Sequence, residues 1–210
     1  MKVVIFGANG KTGTHFTEQA LAKGHQVTAY IRRAGSLTLQ HSNLKIITGK
    51  LNEPVKLKEA ITGSDAVISA LGGGSLTRHS TEIITGIDQI VSQMEQEGVK
   101  RFIYLSSLGA GDSRYLMNLL IRSFIADFML RVPLADHTIN EQRIAQSKLH
   151  WTIVRPAGLT NGPKTGRLKH GTEKKILKGG PRISRANVAS FMLEQLADTR
   201  YINSAVWVYG

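Results

Sequence analysis

Seven residues near the start of the chain, Gly7-Ala8-Asn9-Gly10-Lys11-Thr12-Gly13, carry the clearest chemical signal in the sequence. The glycines stand three apart, after an apolar run from Lys2 to Phe6 and before a helix-like segment from Thr14 to Lys23. Glycine at these points permits a tight turn, close approach of backbone N–H groups to a ligand, and close packing of helix on strand. The helix start then presents unpaired N–H donors and a positive dipole end to a pyrophosphate. Strand, glycine turn and helix in that order predict a dinucleotide site whose first contacts are Gly7, Asn9, Gly10, Lys11, Thr12 and Gly13.

The next strand-like run, Gln26 to Ile31, ends in Arg32-Arg33. An acid near this point would accept a ribose 2′-hydroxyl, whereas a guanidinium holds a 2′-phosphate through two charge-assisted bonds. No Asp or Glu occurs between Glu18 and Glu53, so the spacing predicts NADP(H) rather than NAD(H). Leu71 and Gly72, opening the run Gly72-Gly73-Gly74 after a strand over Asp65 to Ser69, are expected beside the ribose or pyrophosphate. Ser106 and Ser107 close a fifth strand, where a hydroxyl can reach the nicotinamide ribose or a substrate carbonyl, or simply cap the strand. His137, in the segment Asp136 to Gln146, is a candidate proton donor or polar contact; the alternative is a capping or solvated histidine at a helix start. The remaining histidines lack paired ligand spacing, and no metal site is expected.

Strand-like and helix-like segments alternate behind these residues. Leu44 to Thr48, Arg101 to Ser106 and Trp151 to Arg155 read as strands, Glu53 to Ile61 and Arg78 to Glu97 as helices. In the longer helix Ile83, Ile84, Ile87, Ile90, Val91 and Met94 recur at spacings of three and four. The pattern predicts an α/β, three-layer, Rossmann-like doubly wound parallel sheet with a small C-terminal substrate-side portion. Tyr115 to Leu130 is unusually apolar, including Phe124 and Phe128. It is shorter than the ~20 residues of a membrane span and suits a pocket wall, a dimer contact or core. Thr160 to Gly180 reads as an irregular basic arm, Asn187 to Ala197 as a helix, and Ser204 to Tyr209 as a closing strand.

The 210 residues are expected to form one domain, 1–210. The formal charge of +12 collects late, in Lys164, Arg167, Lys169, Lys174, Lys175, Lys178, Arg182 and Arg185. Without a helix-turn-helix, zinc module or aromatic RNA-binding strand beside it, a nucleic-acid partner is disfavoured. The chain has no cysteine, which excludes disulfides and thiolate chemistry. The first apolar run is too short for a signal-peptide core, so a cytoplasmic location is the default expectation.

Four segments in order, the glycine turn, Gly98 to Ser107, Trp151 to Pro156 and Ile183 to Ala189, resemble the atypical short-chain dehydrogenase/reductase group. Within it the chain is most similar to NmrA-like NAD(P)H-binding proteins and to the biliverdin reductase B (flavin reductase) branch. The resemblance implies a Rossmann fold, NADPH as cofactor, and a flavin, quinone or other flat acceptor, with Ser107 at the substrate and Pro156 and Ala157 beside the cofactor. It also admits a cofactor-sensing protein without turnover and, less well, a sugar-nucleotide epimerase or dehydratase. The usual Tyr-x-x-x-Lys dyad is absent: Ala34, Leu108, Leu119 and Ala205 stand four residues beyond Tyr30, Tyr104, Tyr115 and Tyr201. Gly158 falls about where the bilin-reducing branch has a histidine, Asn187 where the group often has Asp, and Lys50 where an acid near adenine is common. A small planar acceptor and a homodimer are the implied partners.

Overall fold

The computed structural model describes residues 1–72, 75–117, 123, 128–174, 176 and 180–210. Its elements run β1 (Lys2–Phe6), α1 (Lys11–Ala22), β2 (Gln26–Ile31), β3 (Leu44–Thr48), α2 (Pro54–Ile61), β4 (Ala66–Ser69) and α3 (Thr81–Gln96). Then come β5 (Arg101–Leu105), a 3-10 turn over Gly111–Leu116, α4 (Arg131–Gln146), β6 (His150–Pro156) and the short strands β7 (Gly158–Thr160), β8 (Lys169–Gly171) and β9 (Arg182–Ser184). Helix α5 (Arg185–Glu194) and strand β10 (Ser204–Tyr209) follow.

The main sheet has the order β3-β2-β1-β4-β5-β6-β10-β8. Every pairing in it is parallel except β10 with β8. Because successive side chains leave a strand on opposite faces, each strand feeds two cores. Val3, Ile5, Ile103, Val154 and Val206 pack with Phe16 of α1 and Phe191 of α5. Val4, Phe6, Val67, Phe102, Tyr104 and Ile153 pack with Leu57 of α2, Ile87 and Ile90 of α3, and Ile144 of α4. This is the three-layer, Rossmann-like sheet expected, and it explains why β1 is a continuous apolar run: it is covered on both faces. The order reverses between β1 and β4, which leaves a crevice at their carboxyl ends.

Local differences from the expectation have local causes. Helix α1 starts at Lys11, not Thr14, because Gly10 already stands as its extended N-cap and the glycines continue into the first turn. Helix α2 starts at Pro54, where a fixed φ and a missing N–H suit a first position. Helix α4 starts at Arg131, so His137 lies inside it and does not cap its start. The arm over Thr160 to Gly180 is not wholly irregular: β8 completes one edge of the sheet against β10, and β7 pairs with β9. Gly73, Gly74, Phe124, Lys175 and Lys178 lie outside the described residues. In the apolar segment around them Phe128 is 78% exposed, so a plain core role does not hold for that ring. Among the described residues no helix is long and apolar enough to cross a membrane.

Candidate functional site

The glycine turn is built for close approach. Gly7 has φ +83°, and a Cβ there would stand 2.8 Å from the Ala70 carbonyl oxygen at the end of β4. A Cβ on Gly13 would collide with the Gly7 carbonyl, so α1 lies nearer to β1 than any other residue would allow. Gly10 N–H donates to Gly7 O at 3.0 Å and closes the turn. No side chain caps α1, and its first turn holds no acid. The N–H groups and dipole of that end therefore remain free for an anion.

In front of the turn lies a cavity of about 570 Å³ between the tips of β1, β2 and β4. Gly7, Asn9, Gly10, Arg32, Arg33, Leu71 and Gly72, all singled out in the sequence, line it together. Asn9 Nδ2 donates to Ser36 Oγ at 3.1 Å, and Ser36 Oγ donates to Arg33 O at 2.7 Å, fastening the β2 tip to the glycine turn. Lys11 is exposed in the first turn of α1, while Thr12 and Gly13 are buried. These three are not among the residues lining the cavity. The stretch between Glu18 and Glu53 holds no acid, but Glu82 of α3 brings a carboxylate to the cavity from elsewhere in the chain.

The carboxyl ends of β5 and β6 differ in kind. Ser106, 4% exposed, donates its hydroxyl to Glu141 Oε1 at 2.6 Å. That bond commits the Ser106 proton inside the protein and leaves its oxygen as an acceptor. Arg155 grips the same Glu141 through both carboxylate oxygens, at 3.0 and 2.7 Å, and reaches Asp112 at 2.6 Å. Burial would lower the Arg155 pKa, but hydrogen bonding and charge from Glu141 and Asp112 raise it above its ordinary value. Burial likewise pushes Asp112 up, yet Arg155 holds it below the usual carboxylate range. Ser107 bonds the Leu108 carbonyl at 3.3 Å. Pro156 O accepts from Leu108 N–H and Ala157 N–H donates to Val208 O, so both are locked by backbone at the head of β6.

His137 Nδ1 stands 2.8 Å from the Tyr104 hydroxyl, which also accepts from Asn140 Nδ2 at 3.0 Å. Burial pushes the Tyr104 pKa up, and burial lowers that of His137. A neutral imidazole accepting the Tyr104 proton at Nδ1 carries its own proton on Nε2 and is a donor there. The cluster of Tyr104, Asn140, Glu141 and Arg155 was not foreseen. An arginine inside the apolar strand Trp151-Thr152-Ile153-Val154-Arg155 was the signal available, since a buried guanidinium needs a carboxylate. Nothing in the sequence pointed to Glu82.

A family model described as NAD(P)H-binding matches residues 7–199, from the glycine turn past α5. The chain belongs to the NAD(P)H-binding family. Its relatives include a chloroplastic protein of Arabidopsis thaliana, 31% identical, with 93% of this chain and 71% of the relative aligned. Another is the uncharacterized sugar epimerase YhfK of Bacillus subtilis, 28% identical over 98% of this chain and 92% of the relative. Among solved structures, a short-chain dehydrogenase/reductase of Veillonella parvula in complex with NADP superposes with TM-score 0.85 at 20% identity, covering 100% of this chain and 94% of that one. The anaerobilin reductase ChuY of Escherichia coli O157:H7 gives TM-score 0.81 at 24% identity, with 100% and 97% covered. These likenesses between structures establish the shared fold.

Proposed function

We propose that this protein is an NADPH-dependent oxidoreductase, a single dinucleotide-binding domain that passes hydride to a flavin, quinone or similar planar acceptor. The observation that carries the reading is the cavity itself: a glycine turn that no Cβ could enter, an uncapped helix start, and two arginines at the tip of β2. A diphosphate fits the first two and a 2′-phosphate fits the third. When bound, a reduced nicotinamide supplies the hydride, and the protein has only to orient acceptor and cofactor and exclude water. Ser107 and the neutral Nε2–H of His137 are then the polar groups offered to the acceptor or the nicotinamide ribose. With no Tyr-x-x-x-Lys dyad, a carbonyl–alcohol or epimerase route has no phenol of lowered pKa to exchange a proton. The one described tyrosine of β5, Tyr104, is shifted the other way by burial.

Purified protein mixed with NADPH and a panel of flavins and quinones tests this, followed by loss of absorbance from the reduced nicotinamide. Turnover with at least one planar acceptor is the expected result. Tight NADPH binding without turnover on any acceptor would replace the enzyme with a sensor of the NADPH/NADP⁺ ratio. The side chains of β5, α4 and β6 bonding largely to one another favour that second reading.

A further inference from the structure

Resting on the cofactor reading just given, we infer that Glu82 sets the nucleotide preference of the cleft by competing for Arg32. Read from the chain alone, the β2 tip is purely cationic and should discriminate strongly for a 2′-phosphate. The fold changes that balance. Arg32 Nη1 stands 3.2 Å from Glu82 Oε2, an ion pair joining residues 50 apart in sequence. Both line the same cavity, and among the described lining residues Glu82 is the only carboxylate.

The backbone that carries Glu82 is held in place. Glu82 is the second residue of α3, where the helix dipole favours a negative charge. The start of α3 is tied to α4, because Ser80 N–H donates to Asp136 Oδ2 at 2.8 Å and His79 Nδ1 contacts Asp136 Oδ1. A ribose with a free 2′-hydroxyl can donate to Glu82 while Arg32 stays paired. A 2′-phosphate must share Arg32 with Glu82 and bring its own negative charge against that carboxylate. Glu82 thus supplies, from α3, the acid that the β2 tip lacks, and narrows the preference for NADPH.

The test is titration calorimetry on the full chain with NADPH and with NADH at one fixed ionic strength. The quantity read is the ratio Kd(NADH)/Kd(NADPH). In Glu82→Gln this ratio is expected to rise about fivefold, the scale of one exposed ion pair. The rise is expected to shrink when Arg32→Ala is already present. An unchanged or lower ratio in Glu82→Gln overturns the inference while leaving the cofactor reading standing. Failure of the unsubstituted protein to bind either nucleotide overturns both. Glu82 is 56% exposed, so the variant is expected to fold, and an unaltered thermal transition verifies it.

Discussion

The two ends of the crevice are built from opposite materials. Around β1, β2 and β4 the site is backbone and exposed charge: glycines, a bare helix start, and guanidinium groups with their tips in water. Around β5 and β6 it is largely buried side chain: Glu141 joins Ser106 to Arg155, Arg155 reaches out to the exposed Asp112, and Tyr104 meets His137 and Asn140. At the first end the backbone donors are bare and Arg32 pairs with the exposed Glu82, a contact with which a ligand can compete. The buried network spends most of its polar groups on one another, Asn140 Oδ1 excepted, and chiefly fixes geometry. On the proposed reading, binding energy comes chiefly from the first end, and the second serves as a rigid floor.

The comparison breaks most visibly at Glu141. Glu141→Leu leaves Arg155 buried with one side of its fork unpaired, and stability should fall by about 3–5 kcal/mol. Urea unfolding measures it; a loss below ~1 kcal/mol would mean that Arg155 does not depend on this pairing. At the other end Gly13→Ala should lower both stability and binding. The new methyl meets the Gly7 carbonyl and pushes α1 off the turn, and NADPH affinity should drop about a hundredfold, roughly the worth of one strong charged hydrogen bond. Calorimetry with the substituted protein, paired with its melting curve, separates the two effects. Arg32→Ala should weaken NADPH about tenfold or more, as a charge-assisted bond is worth about 1.5–3 kcal/mol, and leave NADH nearly unmoved. Equal losses for both nucleotides would remove the 2′-phosphate from that tip.

The smallest effect concerns protons. The pKa of His137 is lowered by burial, so the unfolded chain takes up a proton there more readily than the folded one. Its contribution is complete above the ordinary imidazole value near ~6.5 and is lost as pH falls through the lower folded value. His137→Asn should flatten the stability–pH slope below about pH 6.5. A slope equal to that of the unsubstituted protein would show that the ring is not desolvated.

The parts read correctly from sequence were those whose neighbours in space are neighbours in the chain. The glycine turn, its strand and its helix occupy the first 22 residues, and Arg32-Arg33 directly follow β2. Seven of the positions expected at a ligand converge on one cavity for that reason. Helix α4 hid its role because its buried positions include Asp136, Asn140 and Glu141, so its inner face is polar and hydropathy periodicity cannot mark it. Glu82 meets Arg32 only because the sheet order sets β4, and the helix after it, next to β1 and one strand away from β2. Such pairings are properties of topology. The lone arginine in β6 showed that an acid had to exist, but not which one.

Strand β10 comes after every other strand in the chain, yet it lies between β6 and β8. During synthesis the earlier strands can assemble from β3 through β6 while the far flank waits. Until Ser204–Tyr209 emerges, β6 keeps one row of peptide groups unpaired and β8 has no partner in the sheet. Such long-range parallel pairing is slow to form, and an open strand edge is adhesive. The nascent protein is therefore most exposed to misassociation just before its last strand docks, and that interval is where a chaperone would have most to do.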